Sequence, residues 1–417
     1  MIYFIVLYIM ATIQVKNIAP LKDTGIINLT SVMLFIGMQS TGKSTLMKIL
    51  CFCRWIEKRV MVDGEELLYK YTHYNRFRKE LMKFHRLSEA VFTDDSKIVY
   101  DGDCVTIELS GSKNAKIQRK KFFSQYRHNE KLCFIPAERN LLSAISNIDK
   151  NYKATDMDVL FNYILEWSEA REQFTSNTPL NLVIDSNMSY YFDEKKGDVL
   201  KLNREQRTIG TFYASSGVQS ALPIAVLANY IGGLVGTIGK RSPMDYMRVI
   251  SRYLSTNEDD NIEITKEKLA LVKQLLAYKS IQLYIEEPEQ NLFPKSQSEL
   301  VKEVVNVVKK ATEATSQDSS LVMTTHSPYV LTALNVMLAT AKAYEKNPQQ
   351  TEVLMGRDNI MQHDRFSAYY INKNGELENL IDEETGLIMG EYLDSVSEEV
   401  DETMYQLNKI IYADIDR

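Results

Sequence analysis

An α/β fold is predicted for this chain by three features of its pattern. The apolar run Val32–Ile36 leads through a glycine-bounded loop into a helix-forming stretch from Thr45 to Leu50. Two further apolar runs, Ile281–Ile285 and Leu321–Thr324, flank an amphipathic stretch from Ser296 to Ala314. A late β-like segment, Ala368–Ile371, precedes an acidic tail. Strands alternating with helical patterns mark the α/β class. At 417 residues and 45% apolar content the chain can bury one large or two medium cores, and its 25% charged content is ordinary for a globular protein.

From Thr12 to Thr30, two short β-like runs flank the turn Lys22-Asp23-Thr24-Gly25. After the first helix, residues to about Leu87 carry Leu67, Tyr71, Phe77, Leu81 and Phe84 at helical spacing, which predicts further helices. Ile98–Leu109 alternates around Asp101-Gly102 and reads as a hairpin; Leu132–Ile135 reads as a short buried strand ended by Pro136. Between Thr155 and Ile238 the pattern is mainly helical, with a polar, hairpin-like interruption from Ser189 to Thr211. Asn257–Asn261 reads as a charged loop, followed by a helix through Tyr278.

The net charge of −6 weighs against a chain coated in basic surface, although local patches can still bind nucleic acid. Cys51, Cys53, Cys104 and Cys133 lack C-x-x-C pairing and a histidine at zinc-ligand spacing, so they read as reduced, mostly buried thiols of a cytoplasmic protein. The apolar opening, residues 1–9, is too short to span a bilayer and has neither a basic flank nor a cleavage site; it reads as an appended segment, with no membrane partner expected.

The loop after Val32–Ile36 is Gly37-Met38-Gln39-Ser40-Thr41-Gly42-Lys43-Ser44, with Thr45 next. Its glycines let successive backbone N–H groups turn toward a polyphosphate, and the following helix adds its positive dipole end. In such a loop Lys43 reaches the β- and γ-phosphates of ATP and Ser44 ligates Mg²⁺. Ile281–Ile285 ends in Glu286-Glu287-Pro288-Glu289, where one acid, Glu286, would hold Mg²⁺ and the other, Glu287, would orient and polarise the attacking water. His326, in Thr324-Thr325-His326-Ser327-Pro328, stands at another strand end and could contact the γ-phosphate or that water. Ser215-Ser216-Gly217 opens the apolar helix Ala221–Ile231; its exposed N–H groups and hydroxyl suit a second anion site, although a serine N-cap explains the same letters.

The ordered series Gly37–Ser44, Ser215-Ser216-Gly217, Glu286-Glu287-Pro288-Glu289 with Asn291-Leu292-Phe293-Pro294, and Thr324–Pro328 resembles ABC-type P-loop ATPase heads over most of residues 12–340. It looks closest to the branch of OLD (overcoming lysogenization defect) and bacterial anti-phage ATPases, with SMC and RecF heads as more distant relatives. The resemblance implies an ABC-type α/β head with a helical insertion and a helical signature subdomain. It also implies that Ser215 and Gly217 complete the γ-phosphate site of a partner subunit, in a head-to-head homodimer or higher oligomer. Three departures stand out. Glu286 occupies a place where many relatives have aspartate. Pro136-Ala137-Glu138-Arg139-Asn140 stands where a lid glutamine is sought. The roughly ninety residues after His326 hold no credible strand-Glu then Asp-x-Asp series, so the TOPRIM nuclease of OLD proteins is not expected.

The expected domains are 10–150, an ATPase lobe with a helical insertion at about 46–131; 151–275, the signature subdomain; and 276–417, the second ATPase lobe with the acidic tail. Two basic stretches, Lys70–Arg86 and Lys113–Lys131, interleave cations with Phe77, Phe84, Phe122, Phe123 and Tyr126. They fit either nucleic-acid binding by stacking and phosphate pairing or a solvated basic face over a buried aromatic one. The acidic residues 391–402 suit a protein partner or plain solvation. The expected work is ATP hydrolysis coupled to DNA maintenance or anti-phage defence with a separately encoded nuclease or other effector. The alternative is a nucleotide-gated scaffold that sequesters an effector without binding nucleic acid.

Overall fold

A computed structural model describes residues 10–64, 66–121, 128–145, 158–237, 243–253, 266–361, 363–390, 403–405 and 407. The charged loop 257–261, the opening residues 1–9 and the acidic residues 391–402 lie outside them, as do Phe122, Phe123, Tyr126 and Arg127 of the second basic stretch.

A six-stranded sheet forms the middle of the fold. Its strands are β4 (Val32–Gly37), β8 (Asn129–Ile135), β13 (Tyr278–Glu286), β14 (Ser320–Thr325), β15 (Phe366–Ile371) and β16 (Leu377–Asn379), in the order β16-β15-β4-β14-β13-β8. All neighbours run parallel except the edge pair β15–β16. Every residue of β4 is buried. Val32, Leu34 and Ile36 enter one core and Met33 and Phe35 the other. Cys133 and Ile135 likewise face one side and Phe134 the other. This two-sided burial is why the parallel strands read as unbroken apolar runs.

One face is covered by the long helix α1 (Lys43–Asp63), the short α2 (Glu66–Tyr71) and α3 (Arg76–His85), and a second, antiparallel sheet. That sheet runs β2-β1-β5-β6-β7, built from β1 (Thr12–Ile18), β2 (Leu21–Asp23), β5 (Phe92–Asp101), β6 (Val105–Ser110) and β7 (Lys116–Arg119), with β3 (Ile27–Asn28) also pairing β1. The hairpin predicted around Asp101-Gly102 is β5–β6. The segment expected as a helical insertion at about 46–131 is therefore α-helical only to His85; from Phe92 it forms β5, which pairs with β1, and β6 and β7, which extend that sheet, because alternating burial there gives them a face to pack on α1.

The other face is covered by helices: α4 (Leu141–Ala144), α5 (Val159–Arg171), α6 (Ser216–Gly232), α9 (Pro294–Thr315) and α10 (Pro328–Lys346). Helices α7 (Pro243–Tyr253) and α8 (Lys266–Leu276) make a small core with Val62 of α1. Two expectations are corrected here. In the region 155–238 the hairpin-like interruption expected from Ser189 to Thr211 is present but larger, a four-stranded meander of β9 (Leu180–Asn181), β10 (Met188–Asp193), β11 (Gly197–Leu202) and β12 (Arg207–Gly210), so the region is less helical than expected. The helix expected through Tyr278 stops at Leu276, and Tyr278 opens β13 by pairing with Asn129. All four cysteines are buried free thiols, as expected. Among the described residues no helix is long and apolar enough to cross a membrane.

Candidate nucleotide site

Four adjacent parallel strands, β4, β14, β13 and β8, end at one edge of the central sheet, and the segments leaving them carry the predicted motifs. The register pairs Ile36 with Thr325, Thr324 with Glu286 and Ile285 with Ile135, so the loop, the histidine, the carboxylates and the Pro136–Asn140 segment emerge side by side. Ligands of α/β sheets bind at such carboxyl ends.

The loop between β4 and α1 needs its two glycines. Gly37 has φ 152 and lies so close to β15 that a Cβ would stand 2.5 Å from the Ile371 carbonyl oxygen. Gly42 has φ 107, and a Cβ would meet Leu21 at 2.8 Å. Met38, Gln39 and Ser40 are exposed, with Ser40 at φ 63, while the Thr41 hydroxyl donates to the Met38 carbonyl at 3.0 Å. Lys43, the first residue of α1, folds back over the loop and donates to the carbonyls of Gly37 (2.9 Å) and Met38 (2.7 Å). Burial pushes its ammonium down to about 8, against the opposing pull of Glu287 and Glu289. Ser44 and Thr45 are half-buried in the first turn of α1, which has no acidic side chain and no side-chain cap to claim its N–H groups. A desolvated cation beside unclaimed amides is chemically suited to a polyphosphate.

Glu286 is buried at the end of β13; one carboxylate oxygen accepts the Ala137 N–H at 3.1 Å and the other lies 3.9 Å from Lys48. Glu287 has φ 46, in the left-handed region that non-glycine residues rarely occupy. Its amide donates to the Thr324 carbonyl at 2.9 Å and its carboxylate stands 3.5 Å from His326 Nε2. The interaction with His326 holds the Glu287 carboxyl below the usual carboxylate range, outweighing its partial burial. A third acid, Glu289, accepts the backbone N–H of His326 at 2.7 Å, leaves its other oxygen buried without a partner, and is raised by burial. Among the described residues no group of three or more His, Cys, Asp or Glu could hold a metal alone. The Ser44 hydroxyl and a carboxylate of this edge are oxygen donors of the kind Mg²⁺ favours and would need further oxygens, such as those of a phosphate, to hold it.

Ser215 stands at the N-cap position of α6 and is exposed, yet its side chain makes no capping hydrogen bond; capping therefore does not account for the serine. Ser216 is exposed as well, and Gly217 packs against the carbonyl of Asn291, where a Cβ would stand at 2.8 Å. Among the described residues no hydrogen bond joins Ser215–Gly217 to the 37–44 loop. The structure joins this helix end instead to the Glu286–Asn291 turn, through Arg139.

Arg139 is the residue at this edge to which the sequence assigned no role. It is wholly buried and donates to the carbonyls of Ser220 (2.9 Å), Glu286 (2.7 Å), Glu287 (2.5 Å) and, at 3.4 Å, Pro136. Its only sequence signal is a charge just after the buried strand β8, where the resemblance would place a lid glutamine.

The basic stretches divide. In Lys70–Arg86, Phe77 is fully buried, Lys70 pairs with Glu80 (3.0 Å), Arg86 with Asp158 (2.6 Å), and Arg78 lies over Phe92. That is a basic face over a buried aromatic one. In the second stretch Lys116 and Arg119 are exposed on the edge strand β7, with Ile117 buried between them, and Lys120 pairs with Asp101 at 2.6 Å.

No family model matches this sequence. No curated protein matches it either. Solved structures of similar shape include an SMC head bound to the C-terminal winged-helix domain of ScpA (10% identity, 88% of this chain and 96% of that one, TM-score 0.38). The SMC head domain from Thermotoga maritima follows (10% identity, 78% and 91%, TM-score 0.34). A third is a dimeric ATP-binding cassette in a post-hydrolysis state with ADP and Pi (11% identity, 88% and 98%, TM-score 0.30). All three TM-scores lie below one half.

Proposed function

We propose that this chain is an ABC-type, ATP-binding and ATP-hydrolysing switch that engages a second copy head to head and couples that engagement to a separate effector. The observation that carries the reading is the convergence of Lys43, Glu286, Glu287 and His326 on neighbouring strand ends. Lys43 and the first-turn amides of α1 bind the phosphates; Mg²⁺, held through Ser44 and Glu286, would neutralise their charge. Glu287 orients the attacking water and accepts its proton, and His326 keeps Glu287 ionised and aimed. Arranged this way, the residues supply positioning and charge stabilisation, the two effects phosphoryl transfer mainly uses.

Head-to-head engagement is supported by the α6 end. Ser215 and Ser216 are exposed and uncapped, and beside them Phe212 and Tyr213 are 52% and 78% exposed, apolar surface that a second copy would cover. The downstream role we read as DNA maintenance or anti-phage defence in the manner of OLD-like ATPases, with the 116–121 strip as the DNA-facing surface. The nucleotide-gated scaffold is the second reading, favoured by the buried Phe77 and by the pairing of Lys70 and Arg86 with acidic residues.

ATP binding and turnover by the purified protein test the site. Lys43→Ala should lose ATP binding, whereas Glu287→Gln should bind ATP and stall. Wild-type turnover in Glu287→Gln would remove Glu287 from the role of base.

A further inference from the structure

We propose that Arg139 is a positioning residue that ties the Ser215–Gly217 helix end to the Glu286–Glu287 turn of the same chain, so that a partner's nucleotide at that helix end sets the aim of Glu287. The proposal rests on the head-to-head reading above.

Arg139 is fully buried, and its guanidinium donates to backbone carbonyls of separate segments: Ser220 in the second turn of α6, Glu286 and Glu287 at the end of β13, and more distantly its own neighbour Pro136. A planar fork with fixed donor directions cannot follow one of these segments without pulling on the other, which a lysine's single point charge could do. What it grips is the backbone of the two acids, and the Glu287 backbone sits at φ 46, a conformation that persists only where its surroundings impose it.

A second contact belongs to the same connection. Asn291, itself at φ 61, donates from Nδ2 to the Ser220 hydroxyl at 3.0 Å, and the absent side chain of Gly217 lets the Asn291 carbonyl approach the helix. The start of α6 is built to move as a unit. Pro223 withholds the N–H that the Gln219 carbonyl would accept, so the first turn is joined to the rest of the helix by one hydrogen bond fewer. On its outer side Gln219 Nε2 holds the carbonyls of Thr211 (3.2 Å) and Phe212 (2.9 Å), tying in the exposed aromatic loop. An anion captured at the exposed amides of Ser215–Gly217 thus acts through Ser220 on Arg139 and Asn291, and through them on Glu287.

The test uses full-length wild type, Ser215→Arg, Arg139→Lys and Asn291→Gly, measuring turnover against protein concentration and affinity with a fluorescent ATP analogue. Arg139→Lys should lower kcat by about 10- to 100-fold, the scale of a misplaced catalytic group, with ATP affinity within about threefold of wild type. Asn291→Gly relieves the left-handed strain but loses the bond to the Ser220 hydroxyl, so its thermal stability should change little while kcat falls, a split that a merely structural role would not give. The double variant should lose less than the product of the single losses, since both cut one connection. Wild-type activity independent of protein concentration, with Ser215→Arg fully active, would overturn the dimer reading and the relay together. Concentration-dependent wild-type activity with unchanged kcat in Asn291→Gly and in Arg139→Lys would overturn the relay alone; should Arg139→Lys not fold, Asn291→Gly decides.

Discussion

Raising the pH should weaken nucleotide binding well before ordinary lysines titrate, because Lys43 is desolvated. Burial lowers its ammonium from the ordinary 10.5 to about 8 in the nucleotide-free protein. Bound phosphates restore the cation, so nucleotide prefers the protonated form and must take up a proton wherever Lys43 is neutral. Below about pH 7.5 the group is already charged and affinity should be flat; above about 8 affinity should fall close to tenfold per unit until the bound-state value is reached. If binding returns Lys43 to its ordinary value, the apparent Kd should rise about 20-fold between about pH 7.5 and 9.5. The assay is a fluorescence titration with a non-hydrolysable ATP analogue and Mg²⁺, repeated calorimetrically in buffers of different ionisation enthalpy, where close to one proton per nucleotide should be absorbed near about pH 9. Glu287→Gln removes a charge that supports the ammonium, so the fall should begin at lower pH. A Kd that does not change over this range, with no proton uptake, would refute the reasoning.

Ser215→Arg should abolish concentration-dependent turnover while leaving analogue binding by the single chain intact, and mixing it with Lys43→Ala should restore at most one working site per dimer; full activity of Ser215→Arg alone would sink the sandwich. Gly37→Ala should destabilise the chain by about 1–3 kcal/mol in denaturant titrations, because the new Cβ would stand 2.5 Å from the backbone oxygen of Ile371, which cannot swing away. Replacing Lys116, Arg119 and Lys121 with glutamate should weaken DNA binding and flatten its salt dependence by about one unit per lost phosphate contact. Lys120 is left alone because it pairs with Asp101. Wild type without DNA affinity at low salt, with and without ATP, would leave the protein-effector reading.

The motifs were legible because each is local. A glycine-bounded loop between a buried strand and a helix, paired acids at the end of Ile281–Ile285, and a histidine after Leu321–Thr324 each report a strand end, and strand ends are visible as the place where an apolar run stops. Burial on both faces of the central sheet made those runs unbroken and easy to find. The hairpins at 98–109 and 189–211 showed in the alternation, whereas the addition of β9 and the pairing of β5 with β1 did not, because a two-residue strand carries no alternation and the partner of β5 is remote in sequence.

By itself the sequence determined the α/β class, the glycine-bounded loop between β4 and α1 and the chemical identity of the groups at the strand ends, since these depend on residue types at fixed short spacings. Only the tertiary structure decided which strand ends adjoin, because order within a parallel sheet is set by crossover packing rather than by chain order. Strand order places the Glu286–Glu287 turn between the His326 strand end and the Arg139 segment. It also revealed Glu289 beneath His326 and Arg139 between α6 and the Glu286–Glu287 turn, contacts that span 37 residues in one case and 81 in the other. No local pattern encodes such pairings: they form because a buried carboxylate and a buried guanidinium must each find hydrogen-bond partners, and the nearest ones are supplied by segments far away in the chain.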